Sequence, residues 1–129
     1  VYKRQKMDLV ASSLYRNPYF YKNITTTSKK DGVNQWIGFS LESKNKTCNR
    51  DAVGSIVSIH YLDKDKKLNK QRIETTLVNG FSAQSDPRVH FGLGPKAEIK
   101  KVFINWCNGQ LKEYSHIKMN SYNKIILNS

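Results

Sequence analysis

Short apolar stretches that alternate with polar residues recur along the chain, and turn-forming residues separate them. Apolar residues follow a two-residue period over residues 53–61 and again over residues 99–106. The Asn108-Gly109 pair that follows is a strong signal for a tight β-hairpin turn. A period of two places successive side chains on opposite faces of a strand, and no window shows a sustained 3.6-residue period. The pattern therefore predicts an all-β fold.

The order of these segments predicts an antiparallel β-sandwich, with a barrel-like arrangement as the alternative. Residues 63–67 are rich in Asp and Lys and are expected to form the tip of a hairpin. Val102, Ile104 and Trp106 share one side of their strand and are expected to face the core. Strands are predicted at residues 36–41, 53–61, 72–78, 99–106, 111–117 and 124–127.

The first quarter of the chain differs from the rest. It contains β-like pieces at residues 9–11, 15–17 and 18–23, followed by a linker of turn formers at residues 25–32. We therefore expect two parts, residues 1–33 and residues 34–129. The length of 129 residues suffices for one modest hydrophobic core.

The strongly basic composition has two interpretations. The net charge is +12, from 22 Lys and Arg against 10 Asp and Glu, and such an excess attracts anionic polymers. The lysines lie in short, scattered groups, however, and Asn and Ile are also abundant, so solvated loops and protected strand edges are the favoured explanation. Nucleic acid is an unlikely partner on this pattern, and any binding of anionic polymers should be weak and strongly salt-dependent.

Neither a membrane span nor a secretory leader is expected. No apolar run approaches the 18 or so residues that a transmembrane helix needs, and the opening residues lack an apolar segment. We interpret the chain as a fragment or the tail of a longer protein, which leaves open whether residues 1–5 belong to the natural fold.

The two cysteines leave their pairing open. Cys48 and Cys107 would form a disulfide only if their loops meet, and neither belongs to a zinc-binding pattern. Asn23 and Asn45 stand in sequons that matter only in a eukaryotic secreted protein. Oligomeric state and natural ligand have no signal in the sequence.

Four ordered blocks resemble the ASPIC/UnbV domain. The last block carries Cys107 where the family usually has proline. The blocks are residues 34–41 (NQWIGFSL), 49–57 (NRDAVGSIV), 80–94 (GFSAQSDPRVHFGLG) and 102–109 (VFINWCNG).

This resemblance implies a setting rather than a reaction. Such domains are found at the C-terminal end of extracellular proteins of the cartilage-acidic-protein type, built from FG-GAP (VCBS-like) propeller repeats. Residues 1–33 resemble the end of an FG-GAP blade, through Asp8-Leu9-Val10 and Tyr21-Lys22-Asn23. The resemblance implies a secreted, cell-surface or periplasmic protein whose partners are the upstream propeller of the same chain and glycans or extracellular proteins. Any calcium would belong to the upstream repeats, and no cofactor is expected here.

The polar residues of the family blocks form the candidate site. They could surround a ligand, a sugar or a cation, but structural roles are favoured, with Asp51 closing a turn and Asp86 shaping a loop. Because buried polar groups need partners, we expect Asp51 to meet Asp86, Arg88 and His90 in space and these side chains to hydrogen-bond one another or nearby backbone. The candidates are Asn49, Arg50, Asp51, Gln84, Asp86, Arg88 and His90.

No motif indicates catalysis. The hairpin tip at residues 63–65 lacks the further ligands of a calcium loop, and no nucleophile–base pattern is present. Four aromatic residues, Trp36, Tyr61, Phe103 and Trp106, could form a sugar-binding platform, although core and rim positions are favoured. We expect a non-catalytic module for packing, adhesion or ligand contact. The alternatives are a carbohydrate- or polyanion-binding module and an accessory domain of a biosynthetic enzyme.

Overall fold

The computed structural model describes residues 8–24, 32–78, 80, 84 and 86–128, and these residues contain strands and turns but no helix. The predicted all-β class is therefore confirmed. The strands are β1 (Leu9–Ala11), β2 (Tyr19–Tyr21), β3 (Asn34–Ser43), β4 (Ile56–Leu62), β5 (Leu68–Glu74), β6 (Val89–Pro95), β7 (Glu98–Asn105), β8 (Leu111–Tyr114) and β9 (Tyr122–Leu127).

Two sheets face each other across the hydrophobic core. One has the strand order β6-β3-β9 and the other β5-β4-β7-β8. Their inner faces supply the buried side chains, as the two-residue period predicts. Within the described residues neither sheet closes into a barrel, so the sandwich prediction is confirmed. The largest fully buried side chains are Ile37, Phe39, Val57, Ile59, Phe91, Val102, Ile104, Trp106 and Leu127.

The three-stranded sheet departs from the predicted antiparallel arrangement. β3 lies between two partners, antiparallel to β6 and parallel to β9. The antiparallel prediction is therefore wrong for the β3–β9 pair. Parallel neighbours need a long connection rather than a tight turn, and here most of the sandwich separates the two strands in sequence. Short-range turn signals do not report a pairing of this kind.

The four-stranded sheet follows the sequence pattern, but several strand boundaries differ from the prediction: β4 begins at Ile56 rather than at residue 53, and β8 ends at Tyr114 rather than at residue 117. Val102, Ile104 and Trp106 are buried, as predicted. At the hairpin tip, the Asp63 carboxylate accepts the backbone N–H groups of Asp65 and Lys67 at 2.9 and 3.0 Å. The returning strand spans Leu68–Glu74 rather than residues 72–78. Its early residues are mostly exposed and polar, which hid the strand from a search for apolar alternation.

A disulfide ties the loop after β3 to the turn after β7. Cys48 and Cys107 are bonded, with their Cα atoms 5.5 Å apart. Beside them, the hydroxyl of the buried Ser55 accepts the N–H of Cys107 at 3.0 Å. The same loop is held to β3 where Ser43 N–H donates to the Arg50 carbonyl at 2.8 Å. The loop is therefore fixed at both ends and at its middle.

β1 and β2 form a separate hairpin. They pair only with each other, as a two-stranded sheet. The N–H of Asn23 donates to the Asp8 carboxylate at 2.7 Å beside the open end of the hairpin. Residues 15–17, predicted as β-like, form a bend instead. Most of the predicted linker lies outside the described residues.

Removing the disulfide should strongly destabilise the sandwich. Replacing Cys48 and Cys107 with serine releases a crosslink between residues 59 positions apart, which in the chain-entropy treatment costs about 4 kcal/mol of unfolding free energy. Urea denaturation measures this loss, and the reduced wild-type protein should match the double variant. An unchanged denaturation midpoint after reduction would contradict the structure.

Candidate functional site

The outer face of the β6-β3-β9 sheet carries the chemistry of the candidate site. Along β3 the inward residues Ile37, Phe39 and Leu41 are buried, so the residues between them, Trp36, Gly38, Ser40 and Glu42, face outward. In the sheet register, Gly38 lies between His90 of β6 and Tyr122 of β9. Three strands thus bring residues far apart in sequence into one row.

Aromatic rings pack on one another in this row. The Trp36 and His90 rings stack with centroids 4.8 Å apart, and Tyr122 meets Trp36 edge-on at 5.1 Å. The Tyr122 hydroxyl lies 3.3 Å from His90 Nδ1. The Arg88 guanidinium carbon sits 4.0 Å from the centre of the Tyr122 ring, within cation–π range. We call these four residues the aromatic cluster.

Gly38 makes the cluster possible. A Cβ atom at this position would lie 2.5 Å from Cε1 and 3.0 Å from Cγ of Tyr122, so the ring occupies the space of the missing side chain. The turn before β9 fixes the approach of this strand, because Trp36 N–H donates to the Asn120 side chain at 3.1 Å and Asn120 N–H donates to the Trp36 carbonyl at 2.7 Å. Glycine at this point of β3 is a packing requirement.

A cleft of about 390 Å³ opens next to the cluster, where four segments that carry charged side chains converge. Lys124 pairs with Glu42 at 2.7 Å, and Arg50 pairs with Asp51 at 3.1 Å. Arg88 joins the cleft to the aromatic cluster. The lining residues are Ser40, Leu41, Glu42, Arg50, Asp51, Pro87, Arg88 and Lys124.

The charge states around the cleft follow from these contacts. The Arg88 hydrogen bonds hold the pKa of the Asp86 carboxyl below its ordinary value, and Lys124 has the same effect on the pKa of Glu42. Burial lowers the pKa of His90 below 6.5, and the charge of Arg88 lowers it further. At neutral pH the site therefore presents paired ions and a neutral imidazole.

The structure brings several of the sequence-based candidates to this face. Arg50, Asp51 and Arg88 line the cleft, and His90 belongs to the aromatic cluster. Asp86 accepts the Arg88 side chain at 3.0 Å and the Arg88 N–H at 2.9 Å. The hydrogen bonds shown for Asp51 and for Asp86 each go to an arginine of the same segment. Asp51 lines the cleft itself, whereas Asp86 is connected to it through Arg88.

Asn49 and Gln84 have other positions. The turn-closing role predicted for Asp51 belongs to Asn49, whose side chain accepts the N–H of Val53 and donates to the Val53 carbonyl, both at 2.9 Å. Its amide also approaches Cys107 Sγ at 3.9 Å, on the disulfide side of the loop. Asp51 is free for Arg50 because Asn49, two residues earlier, already closes the turn. Gln84 is exposed.

The four aromatic residues considered as a sugar platform do not share a surface. Trp106 and Tyr61 are buried in the core. Trp36 lies on the outer face of the three-stranded sheet, whereas Phe103 lies on the outer face of the other sheet. Core and rim positions, the favoured interpretation, agree with this arrangement.

A family model described as ASPIC and UnbV matches residues 45–128. The chain belongs to the ASPIC and UnbV family. The match begins after β3, so the central strand of the three-stranded sheet precedes it in this ASPIC/UnbV chain. A comparison with curated proteins finds no match.

Sequence reasoning missed Tyr122, Glu42 and Lys124 in this ASPIC/UnbV domain. Glu42 could have been identified from the sequence, because it lies an even number of positions from Trp36 on β3 and therefore faces the same side of the sheet. Tyr122 and Lys124 reach the site only through the parallel pairing of β9, which has no local signature. Among the described residues, no group of three or more His, Cys, Asp or Glu side chains is arranged to hold a metal ion.

Alanine substitutions at Gly38 and at Gly92 should affect the free energy of unfolding differently. At Gly38 the methyl group collides with the Tyr122 ring and should cost about 1–3 kcal/mol. At Gly92, on the same face, a Cβ meets nothing within 4 Å, so the matched variant should be neutral or more stable by up to about 1 kcal/mol. Urea denaturation of both variants tests this difference, and equal effects would contradict the described position of Tyr122.

Proposed function

We propose that this chain is a non-catalytic extracellular module at the C-terminal end of an FG-GAP repeat protein, where it packs on the preceding propeller and contacts polar ligands. The observation that carries the proposal is the β1–β2 hairpin. All of residues 8–24 except Ala11 and Asn23 are exposed.

The exposed hairpin is strongly apolar. Val10 is 63% exposed and Phe20 is 66% exposed, although the two pair directly across the hairpin. Eight of the thirteen exposed large apolar side chains of the described residues lie between Leu9 and Ile24. A two-stranded hairpin is marginal in water by itself, and apolar clusters of this kind usually mark contact surfaces. The upstream propeller of the same chain, implied by the ASPIC/UnbV membership, is the partner that we propose.

The disulfide supports the extracellular part of the proposal. The Cys48–Cys107 disulfide joins the two loops that hold the sandwich together, and such bonds persist in secreted, cell-surface and periplasmic proteins. No helix in the described part of the chain is long and apolar enough to cross a membrane.

The contacts of the candidate site support a non-catalytic role. His90 is stacked on Trp36 and hydrogen-bonded to the Tyr122 hydroxyl rather than paired with a Ser, Thr or Cys nucleophile. The charges of the cleft are neutralised in pairs, which suits the recognition of a polar partner. A carbohydrate- or polyanion-binding module is the alternative, and an accessory domain of a biosynthetic enzyme is a weaker one. We propose no cofactor for this part of the protein.

Aspartate at both Val10 and Phe20 tests the proposed docking. In the 129-residue chain alone, the double variant should unfold within about 0.5 kcal/mol of wild type, because both side chains already face solvent. In a chain extended upstream to include the preceding repeats, the same change should lower the unfolding temperature, because it would bury two charges in the interface. Thermal unfolding of both chains provides the measurement.

Leu111→Asp is the control, because Leu111 is 68% exposed on β8, which does not pair with the hairpin. This substitution should leave the unfolding temperature of both the 129-residue chain and the extended chain unchanged. If the hairpin variant has no larger effect than this control in the extended chain, the proposed packing on upstream repeats is wrong.

A further inference from the structure

The outer face of the four-stranded sheet gathers cationic side chains that lie outside the candidate site. In the register of this sheet, His60 of β4 is flanked by Lys70 of β5 and Lys101 of β7. In the neighbouring outward row, Arg72 and Phe103 occupy the same two flanking strands. We call Lys70, Arg72 and Lys101 the basic face.

These three side chains point away from the core. Val57 and Ile59, which alternate with the outward residues of β4, are completely buried, whereas all three cations are exposed. Strand spacing and rise place the Lys70 and Lys101 backbones about 10 Å apart and those of Lys70 and Arg72 about 7 Å apart. The separation of Lys70 and Lys101 exceeds the ionic screening length of about 8 Å at physiological salt, so the three cations would contact separate anionic groups of an extended ligand rather than one bound ion.

Among the described residues, the cations of the basic face are not ion-paired, although Glu74 of β5 and Glu113 of β8 lie on the same outer face beside Arg72 and Phe103. By contrast, Lys66 and Lys100 at the same end of the sheet share Glu98. Protection of a strand edge accounts for Lys70 and Arg72, which lie on the edge strand β5, but not for Lys101, which lies on β7, an interior strand of this sheet.

We propose that the basic face binds a linear sulfated polysaccharide. An extended polyanion can follow a flat sheet face and meet all three cations. Phe103 adds an apolar contact beside them, with Lys101 Nζ 5.9 Å from its ring centre and the His60 ring 5.5 Å away. The register of the sheet thus places three cations that are separated in sequence on one face. The choice of a sulfated polysaccharide over nucleic acid rests on the proposed extracellular role.

Heparin is the probe, measured by calorimetry against the full chain at about 0.15 M salt. The variant Lys70→Gln/Arg72→Gln/Lys101→Gln should bind on the order of ten-fold more weakly, because three exposed ion pairs are lost. The salt dependence of the affinity should also become shallower, by about one unit of logarithmic slope per lost contact. A control variant, Lys44→Gln/Lys46→Gln/Lys118→Gln, removes the same charge from exposed positions outside the basic face and should bind heparin like wild type.

Thermal unfolding checks that both variants fold, and both should unfold close to the wild-type temperature, because all six substitutions are at exposed positions. Equal loss of affinity in the two variants would show that net charge alone attracts heparin and would overturn the proposal. If the chain binds desulfated heparin as tightly as heparin, or binds single-stranded DNA of the same charge more tightly than heparin, the proposal of a sulfated ligand is wrong. The hairpin substitutions should not change heparin affinity, so this result is independent of docking to upstream repeats.

Discussion

β3 is the strand on which the sandwich depends. Its inward residues Ile37, Phe39 and Leu41 form the centre of one wall of the core, and its backbone pairs with both β6 and β9. Without it, those two strands would have no common neighbour, and their buried side chains would face water. The parallel pairing with β9 also joins the first strand of the sandwich to its last. The assembly of the domain therefore depends on contacts between residues that are far apart in sequence.

The same strand organises the outer face. Gly38 leaves room for the Tyr122 ring, and that ring in turn supports Trp36, His90 and Arg88. Where β3 ends, the disulfide-linked loop presents two of the charges of the cleft. Packing on one side of this strand and the arrangement of the candidate site on the other are therefore coupled, since a one-residue change in the register of β3 would move its side chains to the opposite faces.

Much of the fold could be read from the sequence because it depends on local patterns. The period of two identified the core face of β7 through Val102, Ile104 and Trp106, and the Asn-Gly pair marked a turn. Contacts between distant strands were not accessible in this way. Neither the parallel β9 nor the convergence of Lys70 and Lys101 on His60 has a local signature, because cross-strand register is fixed only when the sheet assembles. Arg50 and Asp51 were identified as candidates, but their partnership with Lys124 and Glu42 around one cleft was not.

The role of β3 is tested most directly by comparing two shortened chains, residues 32–129 and residues 45–129, by urea denaturation. The shorter chain contains the whole of the family match but lacks β3. Each buried large side chain contributes about 2–5 kcal/mol, and a domain of this size is stable by only about 5–15 kcal/mol. The account predicts cooperative unfolding for residues 32–129 and no folded state for residues 45–129. A cooperative transition of similar midpoint in both chains would contradict it.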